Sequence, residues 1–585
     1  MILYMYEKVY TWAADFESTV EIQYLAEGKT RIWAWAVECL EEPSIKARGE
    51  TIEEFFNFFH GTHATIYFHN LKFDGSFILD FLLRQGYPSY QLTWSNKPRE
   101  PHVESLIDGH GQFYWLQYIN KEEKTNLVFK DSLKKYRMEL EKVAKIFKIP
   151  GKSELKLGYR FLNREVSDEE WDRVEGDVRI LATAMRWQLT HGLNKLTVAA
   201  DAKAAYEKIV GKDKVGFKHP HLPEEIDTLI RPAYRGGWTF LNPVYKEKFL
   251  NGVWVLDVNS MYPGVMASMH GEWLPYGFPR AVDEDYKLRE DEVDILLVDA
   301  RPVLKKDVLP WLHYKNVLGH SNEEYIYDCE TPLPFALTRP DLDLFKETYE
   351  SNYWKFKGRI VFKSEQNQFT PYINHWNGIK QEASITGDEG TRQLAKDMMN
   401  NLSGRFALNP ERESKLPHFD FEKNKVVYEE IESRTKPWYV ATSAFITANA
   451  RKRIVTDAMK FGSDFVYADT DSLHILNGNK YDLESMLEIN PVQLGYYKIE
   501  EIWKEAKYLR SKAYYHRGRT FNLDPKNQRE IKCGGLPENA KKELDMDDFF
   551  IGAELEGKLA GKVVPGGYLL KETKFKIKAK EWGYL

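Results

Sequence analysis

The sequence predicts a multidomain protein of mixed α/β and α+β class. Three observations carry this. The chain has 585 residues, several times the ~100–200 of an ordinary domain. Up to about residue 197, short β-rich runs alternate with helical periodicity, the pattern of an α/β domain. Beyond that, apolar strand-like runs at 252–257 and 463–476 carry acids at their ends, with a helical stretch between them at 390–406.

The elements follow in order. Residues 8–17 and 30–38 alternate like strands, and 65–69 is a short β-rich run. Asp15 and Glu17, two apart on the first strand, point the same way. Two carboxylates on one face can bind a divalent cation through oxygen; the pair alone equally fits solvated strand acids. In YFHNLKFDGSF, Asn70 and Asp74 sit among aromatic residues. An acid beside Phe68, Phe73 and Phe77 needs a partner, a metal or solvent. Residues 132–148 place apolar side chains at 133, 136, 140, 143, 144 and 147, the spacing of an amphipathic helix. A second helix is expected over about 168–190, carrying Asp177. Two metals need several carboxylates converging from different elements, and these four acids supply them.

The strand VWVLD ends on Asp257 and opens DVNSMYP. Asp469 and Asp471 lie in YADTDS between two apolar strands. Paired acids at a tight turn favour a bound cation or a protonated member, although Asp is also an ordinary turn residue. On the 390–406 helix, Arg392, Lys396 and Asn400 recur every four residues with Ser403 on the same face, opposite Leu394, Met398 and Leu402. Alone this is an ordinary solvated face. Beside a metal site it suits a helix that holds a triphosphate. Together, acids for two metals and a cationic helix describe metal-assisted phosphoryl transfer. No Walker A sequence is present.

Composition narrows the classes. Cys39, Cys329 and Cys533 are widely separated, which argues against a disulfide framework or thiolate metal site and suits a reducing cytoplasm. Glu7 and Lys8 interrupt the first apolar residues, so a signal peptide is not expected, and no apolar run approaches ~18 residues. Lys and Arg number 82 against 88 Asp and Glu, a net charge of −6. The cations are nevertheless local. Lys504, Lys507, Arg510, Lys512, Arg517 and Arg519 cluster against only Glu505, and Lys574, Lys576, Lys578 and Lys580 share one face of a final strand over 574–580. This predicts a basic channel on an acidic body, with salt-sensitive DNA affinity.

Taken together, these motifs resemble the protein-primed family B DNA polymerases of phages, the phi-twenty-nine type. The resemblance runs from about residue 8 to 578, with the motifs in the family's order. It implies an RNase H-like (DEDD) 3′–5′ exonuclease domain at 1–197. A right-hand polymerase follows: palm at 198–268 and 440–533, fingers at 368–407, thumb at 534–585. Two terminal-protein-region insertions are implied at 269–367 and 408–439, the first marked by 336–363 and the second opened by FALNPERESKLPHF.

The family's three exonuclease motifs match Asp15 and Glu17, then Asn70 and Asp74, then Asp177, with Lys152 as the exonuclease lysine. Its single-strand contacts fall on His69, Asn70, Phe73, Ser132 and Leu133. In the polymerase motifs Asp257, Asp469 and Asp471 are the catalytic acids, Asp257 and Asp471 bind metal, and Val258 contributes through its backbone. Tyr262 matches the gate against ribonucleotides. Lys380, Arg392, Lys396 and Asn400 bind nucleotide. Tyr234, Gly236 and Gly237 match the Y-x-G-G linker motif, and Lys512 and Tyr514 the K-x-Y primer contact.

The resemblance implies two Mg²⁺ per active site, with Mn²⁺ able to substitute. Its partners are primer–template DNA, dNTPs, a terminal protein as primer and a single-stranded-DNA-binding protein. A monomer in the host cytoplasm with no membrane association is expected. Two departures stand out. Arg173 replaces the Tyr four residues before the third-motif Asp; it donates but cannot accept hydrogen bonds, so altered proofreading is expected. Ser403 replaces a Tyr lining the nascent base pair, so relaxed nucleotide discrimination is expected. A polymerase using only nucleic-acid primers, an exonuclease-dominant enzyme and a non-enzymatic DNA-binding scaffold are the competing readings. Terminal-protein binding, nucleotide addition and metal-dependent primer extension distinguish them.

Overall fold

The computed structural model describes residues 9–18, 22–91, 100–150, 164–314, 324–522 and 528–579. An eight-stranded sheet forms the N-terminal part. Its middle strands, Tyr10–Ser18, His63–Phe68 and Thr125–Asp131, run parallel, and the strands flanking them complete a mixed sheet. Buried aromatic residues fill one side: Trp12, Phe16, Phe55, Phe59 and Phe68 meet mostly edge to face. The other side receives helix Asp168–Thr190, which packs Trp171, Val174, Val178 and Leu181 on it. That helix starts on a reciprocal cap between Ser167 and Glu170.

The expected helix over 132–148 does not form as one piece. Ser132–Lys134 is a 3₁₀ turn, and the α-helix is only Leu140–Ile146. Tertiary partners explain the break. Asp131 caps Leu133 N, Ser132 pairs with His69, Lys135 is buried against Asp201, and Tyr136 donates to the Ala184 carbonyl at 2.8 Å.

A seven-stranded antiparallel sheet forms the second centre. Its order is Arg529–Cys533, Ala513–Phe521, Tyr497–Arg510, Phe249–Val258, Ser472–Leu476, Phe465–Asp469 and Thr239–Leu241. Helix Val440–Met459 is almost wholly buried beside it. Two helices, Thr370–Thr386 and Glu389–Phe406, form an antiparallel pair. Gly387 in the left-handed region ends the first, and Asp388 caps the second through Thr391 N. Helix Val198–Val210 packs on this pair rather than on the seven-stranded sheet.

Strands Leu274–Ala281, Glu292–Leu304, Leu333–Thr338 and Tyr349–Glu365 form a separate four-stranded sheet. Two hairpins complete the molecule: Glu411–Asp420 with Lys425–Arg434, and Glu554–Val564 with Gly567–Lys576. The last strand thus runs earlier than the 574–580 predicted. It ends at Lys576, because Ile577 turns into the core. Lys574 and Lys576 pair across the hairpin with Glu556 and Glu554; Lys580 lies outside the described residues. Among the described residues, no helix is long and apolar enough to cross a membrane.

Candidate functional sites

The N-terminal acids meet where strand and helix cross. Asp15 and Glu17 share a face of Tyr10–Ser18, and Asp177 projects from helix Asp168–Thr190. One carboxylate oxygen from each lies within 4.8 Å of the other two. Asp74 is not part of that close set. It is 2 % exposed and accepts the Phe16 N–H at 3.1 Å. Burial pushes its carboxyl well above the usual carboxylate range, and the Glu17 and Asp131 charges add to this. Arg173, one helical turn before Asp177, brings its Nε to 3.3 Å from Glu17 Oε1. The arginine thus places a fixed positive charge on a candidate metal ligand. Lys152 lies outside the described residues.

The candidate single-strand contacts gather around Asp131, a residue that sequence reasoning missed. Its Oδ1 accepts from Asn70 N, Leu71 N and Leu133 N at 3.0–3.2 Å. This one buried carboxylate fixes both segments. Asn70 takes a left-handed conformation at the start of helix Leu71–Arg84, which Asn tolerates. His69 is held from both sides, by Ser132 Oγ and the Met138 carbonyl, each at 2.9 Å. Ser132 is fully buried, whereas Phe73 and Leu133 are half-buried. The signal for Asp131 was available: an acid ends the apolar strand LVFKD much as Asp257 ends VWVLD.

The second acidic set lies on the seven-stranded sheet. Asp257 and Asp469 both stand opposite Ser472 in register. Asp471 follows a turn in which Thr470 takes φ +62°. That conformation is unfavourable for a β-branched residue. It is held by Thr470 N donating to the Trp238 carbonyl at 2.8 Å, while Val258 N donates to the Asp471 carbonyl at 2.8 Å. Burial, then repulsion from Glu500 and Asp471, pushes Asp257 up to about 7. Burial and Asp469 push Asp471 up to about 6. Among the described residues these acids do not form a three-ligand cluster as tight as the N-terminal one.

Lys498, also missed in the sequence, answers part of that charge. It lies 3.3 Å from Asp257 and 3.1 Å from Glu500. Only strand pairing reveals it, because Asp257 and Lys498 are register partners.

The helix pair supplies further cations. Lys396 is exposed and near enough to Asp471 to favour its ionised form. Lys380 bonds to Asn259 at 3.4 Å, and burial and then the Lys396, Lys498 and Arg392 charges lower its pKa. Arg392 is paired with Glu389 at 2.8 Å, and Asn400, eight residues further along the same helix, is half-buried. Ser403 departs from the predicted stripe. It is 6 % exposed, with its carbonyl accepting from Ser443 of the neighbouring helix. Tyr262 is half-buried, and its pKa is raised by burial and by Tyr234 nearby.

The Y-x-G-G segment abuts the acidic turn. A Cβ on Gly237 would fall 2.5 Å from Thr470 Oγ1. The Gly236 carbonyl accepts from Arg451 at 3.0 Å, and Arg451 and Arg235 both bind the fully buried Asp341. On the far side, Lys512 N donates to the Tyr467 hydroxyl at 2.9 Å, and that hydroxyl donates to Asp469 at 3.3 Å. Asp257, Asp469, Asp471, Glu500, Lys512 and Tyr514 line one cleft of about 710 Å³.

The predicted cation cluster at 504–519 is largely spent on the fold. Lys507 and Arg510 are buried and bond to the carbonyls of Met546 and Lys578. Arg517 pairs with Glu505 and Asp545, and Arg519 with Glu501. The strand end from Ala506 to Arg510 is buried on both faces, which the count of charges did not register. Lys504 and Lys512 remain exposed.

Residues 163–488 match the family model for DNA polymerase type B, organellar and viral. The DNA polymerase of Bacillus phage phi29 is 31 % identical over 97 % of this chain and 99 % of that protein. The DNA polymerase of Streptococcus phage Cp-1 is 28 % identical over 98 % and 99 %. The solved structure of phi29 DNA polymerase complexed with primer–template DNA and incoming nucleotide substrates superimposes with a TM-score of 0.87. It has 30 % identity and covers 98 % of this chain and 100 % of that one.

Proposed function

The chain belongs to the organellar and viral type B DNA polymerases and is therefore a DNA-directed DNA polymerase, and from that premise we propose how its own residues carry out synthesis. The observation that carries the proposal is the approach of finger cations to palm acids that line the cleft, Lys396 to Asp471 and Lys380 to Asp257. Primer–template DNA and dNTPs occupy that cleft. Lys380, Arg392 and Lys396 gather the triphosphate, with Asn400 beside them. Tyr262 closes the space a ribose 2′-hydroxyl needs. Lys512 and Tyr514 position the primer strand, and Tyr234, Gly236 and Gly237 pass it between the two sites.

The residues suit two divalent ions. Asp257 and Asp471 are half-buried like charges whose carboxyls are pushed upward, and a cation relieves that repulsion. Asp257, Asp471 and the Val258 backbone would hold Mg²⁺ here, with Mn²⁺ as substitute, and Asp469 stands beside them. Bound ions supply activation of the primer 3′-hydroxyl and stabilisation of the leaving pyrophosphate. Asp15, Glu17, Asp74 and Asp177 form the corresponding set of a 3′–5′ exonuclease. His69, Asn70, Phe73, Ser132 and Leu133 shape its single-strand approach.

The domain division is taken as expected from the sequence, although helix Val198–Val210, expected in the palm, packs on the finger helices. The segments 269–367 and 408–439 serve protein priming by a terminal protein and strand displacement. A single-stranded-DNA-binding protein is the further partner. The enzyme works as a monomer in the cytoplasm of a host cell; the relatives that support a host-cell location are phage proteins.

The test is primer extension with Mg²⁺ and dNTPs on a primed template with a long downstream duplex, repeated with a candidate terminal protein. Asp471→Ala is expected to abolish nucleotide addition while single-strand degradation continues. Undiminished extension by that variant would overturn the assignment. Extension without any terminal-protein-dependent initiation would leave a polymerase primed by nucleic acid only.

A further inference from the structure

Glu501, His516 and Glu530 stand on three strands of the palm sheet, Tyr497–Arg510, Ala513–Phe521 and Arg529–Cys533. None of them belongs to the motifs above. His516 and Glu530 are register partners. One ligand atom from each of the three residues lies within 4.8 Å of the other two. His516 is fully buried, and its Nδ1 has no hydrogen-bond partner. The Glu530 Oε2 is 3.7 Å away, beyond hydrogen-bond distance. Leaving a buried polar atom unsatisfied is costly, and a cation bonded to it removes that cost.

The other ring nitrogen is fixed. His516 Nε2 lies 2.8 Å from the Tyr508 hydroxyl, which lies 2.8 Å from His474 Nδ1. With Nε2–H donating to Tyr508 and Tyr508 donating to His474, Nδ1 keeps its lone pair. Metal-binding histidines are held in this way through their second nitrogen. The carboxylates are also anchored. Glu501 accepts from Trp503 Nε1 at 2.9 Å and pairs with Arg519 at 3.2 Å. Glu530 uses Oε1 for Lys532 at 3.3 Å, leaving Oε2 toward the imidazole. Glu501 and Glu530 both line the open cleft, which gives an ion a route in and room for water.

We infer that Glu501, His516 and Glu530 bind one divalent transition-metal ion of the zinc class, at a site separate from both sets of catalytic acids. One imidazole nitrogen and two carboxylates, with water completing the shell, suit Zn²⁺. Mg²⁺ prefers oxygen ligands alone. The ion ties three adjacent strands together. It sits beside the Tyr514 ring, which stacks on His516 at 4.5 Å, and so braces the segment that carries Lys512 and Tyr514.

The test uses the full chain stripped with a chelator and titrated with Zn²⁺, and with Co²⁺ as a spectroscopic probe. The natural protein is expected to bind one equivalent more than Glu530→Gln or His516→Gln. Each variant weakens that equivalent by at least about 100-fold, more than loss of an outer partner costs. The visible Co²⁺ band should persist in Asp257→Asn and in Asp15→Asn. Glu530 is only partly buried, so Glu530→Gln keeps the test open if His516→Gln fails to fold by circular dichroism. Unchanged zinc stoichiometry and affinity in Glu530→Gln overturns the proposal. So does loss of the Co²⁺ band in Asp257→Asn.

Discussion

Asp257 sets how the metal-free palm responds to pH. Its carboxyl rises from 3.8 to about 7 in the fold. Between about pH 4 and 7 the folded chain therefore binds more protons than the unfolded chain. The relative stability present below pH 4 is lost as pH climbs through 7. Asp471, raised to about 6, acts in the same direction. Metal-free Asp257→Asn should therefore be more stable than the natural protein at pH 8, by something of order 2 kcal/mol. The gap should narrow at pH 5, as read by denaturant unfolding. Lys498 keeps Glu500 as a partner in that variant. A gap that does not depend on pH would refute the account.

At the other site, Arg173 neutralises part of Glu17 before any cation arrives. Arg173→Tyr should raise single-strand degradation about five- to tenfold at limiting Mg²⁺, the effect of roughly 1 kcal/mol. The gain should shrink at saturating Mg²⁺, and equal rates throughout would show that the pair does not matter. The candidate acids stood out in the sequence because chemistry fixes their spacing. Lys498 was not, because its meaning comes from a strand 241 positions from Asp257.

At the scale of elements, the acidic turn and the Y-x-G-G segment form one unit. Thr470 holds a left-handed backbone only because Trp238 accepts its N–H and its side chain fills the space that Gly237 leaves. Gly237→Ala drives a methyl into Thr470 and must displace the turn between Asp469 and Asp471. The expected result is at least a tenfold loss of nucleotide addition with single-strand degradation retained, measured on one preparation. Equal loss of both activities would point to global unfolding instead. Strands and long helices were readable from periodicity. The segment 132–148 was not: its apolar spacing is helical, but Asp131, His69 and Asp201 claim its polar groups first. Periodicity reports which side is buried and not which polar partner waits there.

At the scale of the molecule, two separate hairpins converge on helix Leu71–Arg84 of the N-terminal domain. The hairpin of Glu411–Asp420 and Lys425–Arg434 lies against it, with Arg84 stacked on Phe419. The C-terminal hairpin reaches the same helix. Gly566 N donates to Asp80 at 3.2 Å, and Thr30 N donates to the Pro565 carbonyl at 3.0 Å. The two hairpins also touch each other. No local pattern announced this closure, since it joins residues nearly 500 positions apart. Its weak point is Gly567, at φ +141°, where a Cβ would lie 2.4 Å from the buried ring of Phe77. Neither the backbone angle nor the space admits a side chain. Gly567→Ala should therefore lift the hairpin tip from the exonuclease domain while leaving the palm and its acids untouched. In a primer-extension assay with a trap for dissociated enzyme, product length should fall several-fold. Single-nucleotide incorporation in one turnover should stay within about twofold, because the contact lies away from the acids of the palm. Full-length products in the presence of trap would mean that the contact does not retain the template.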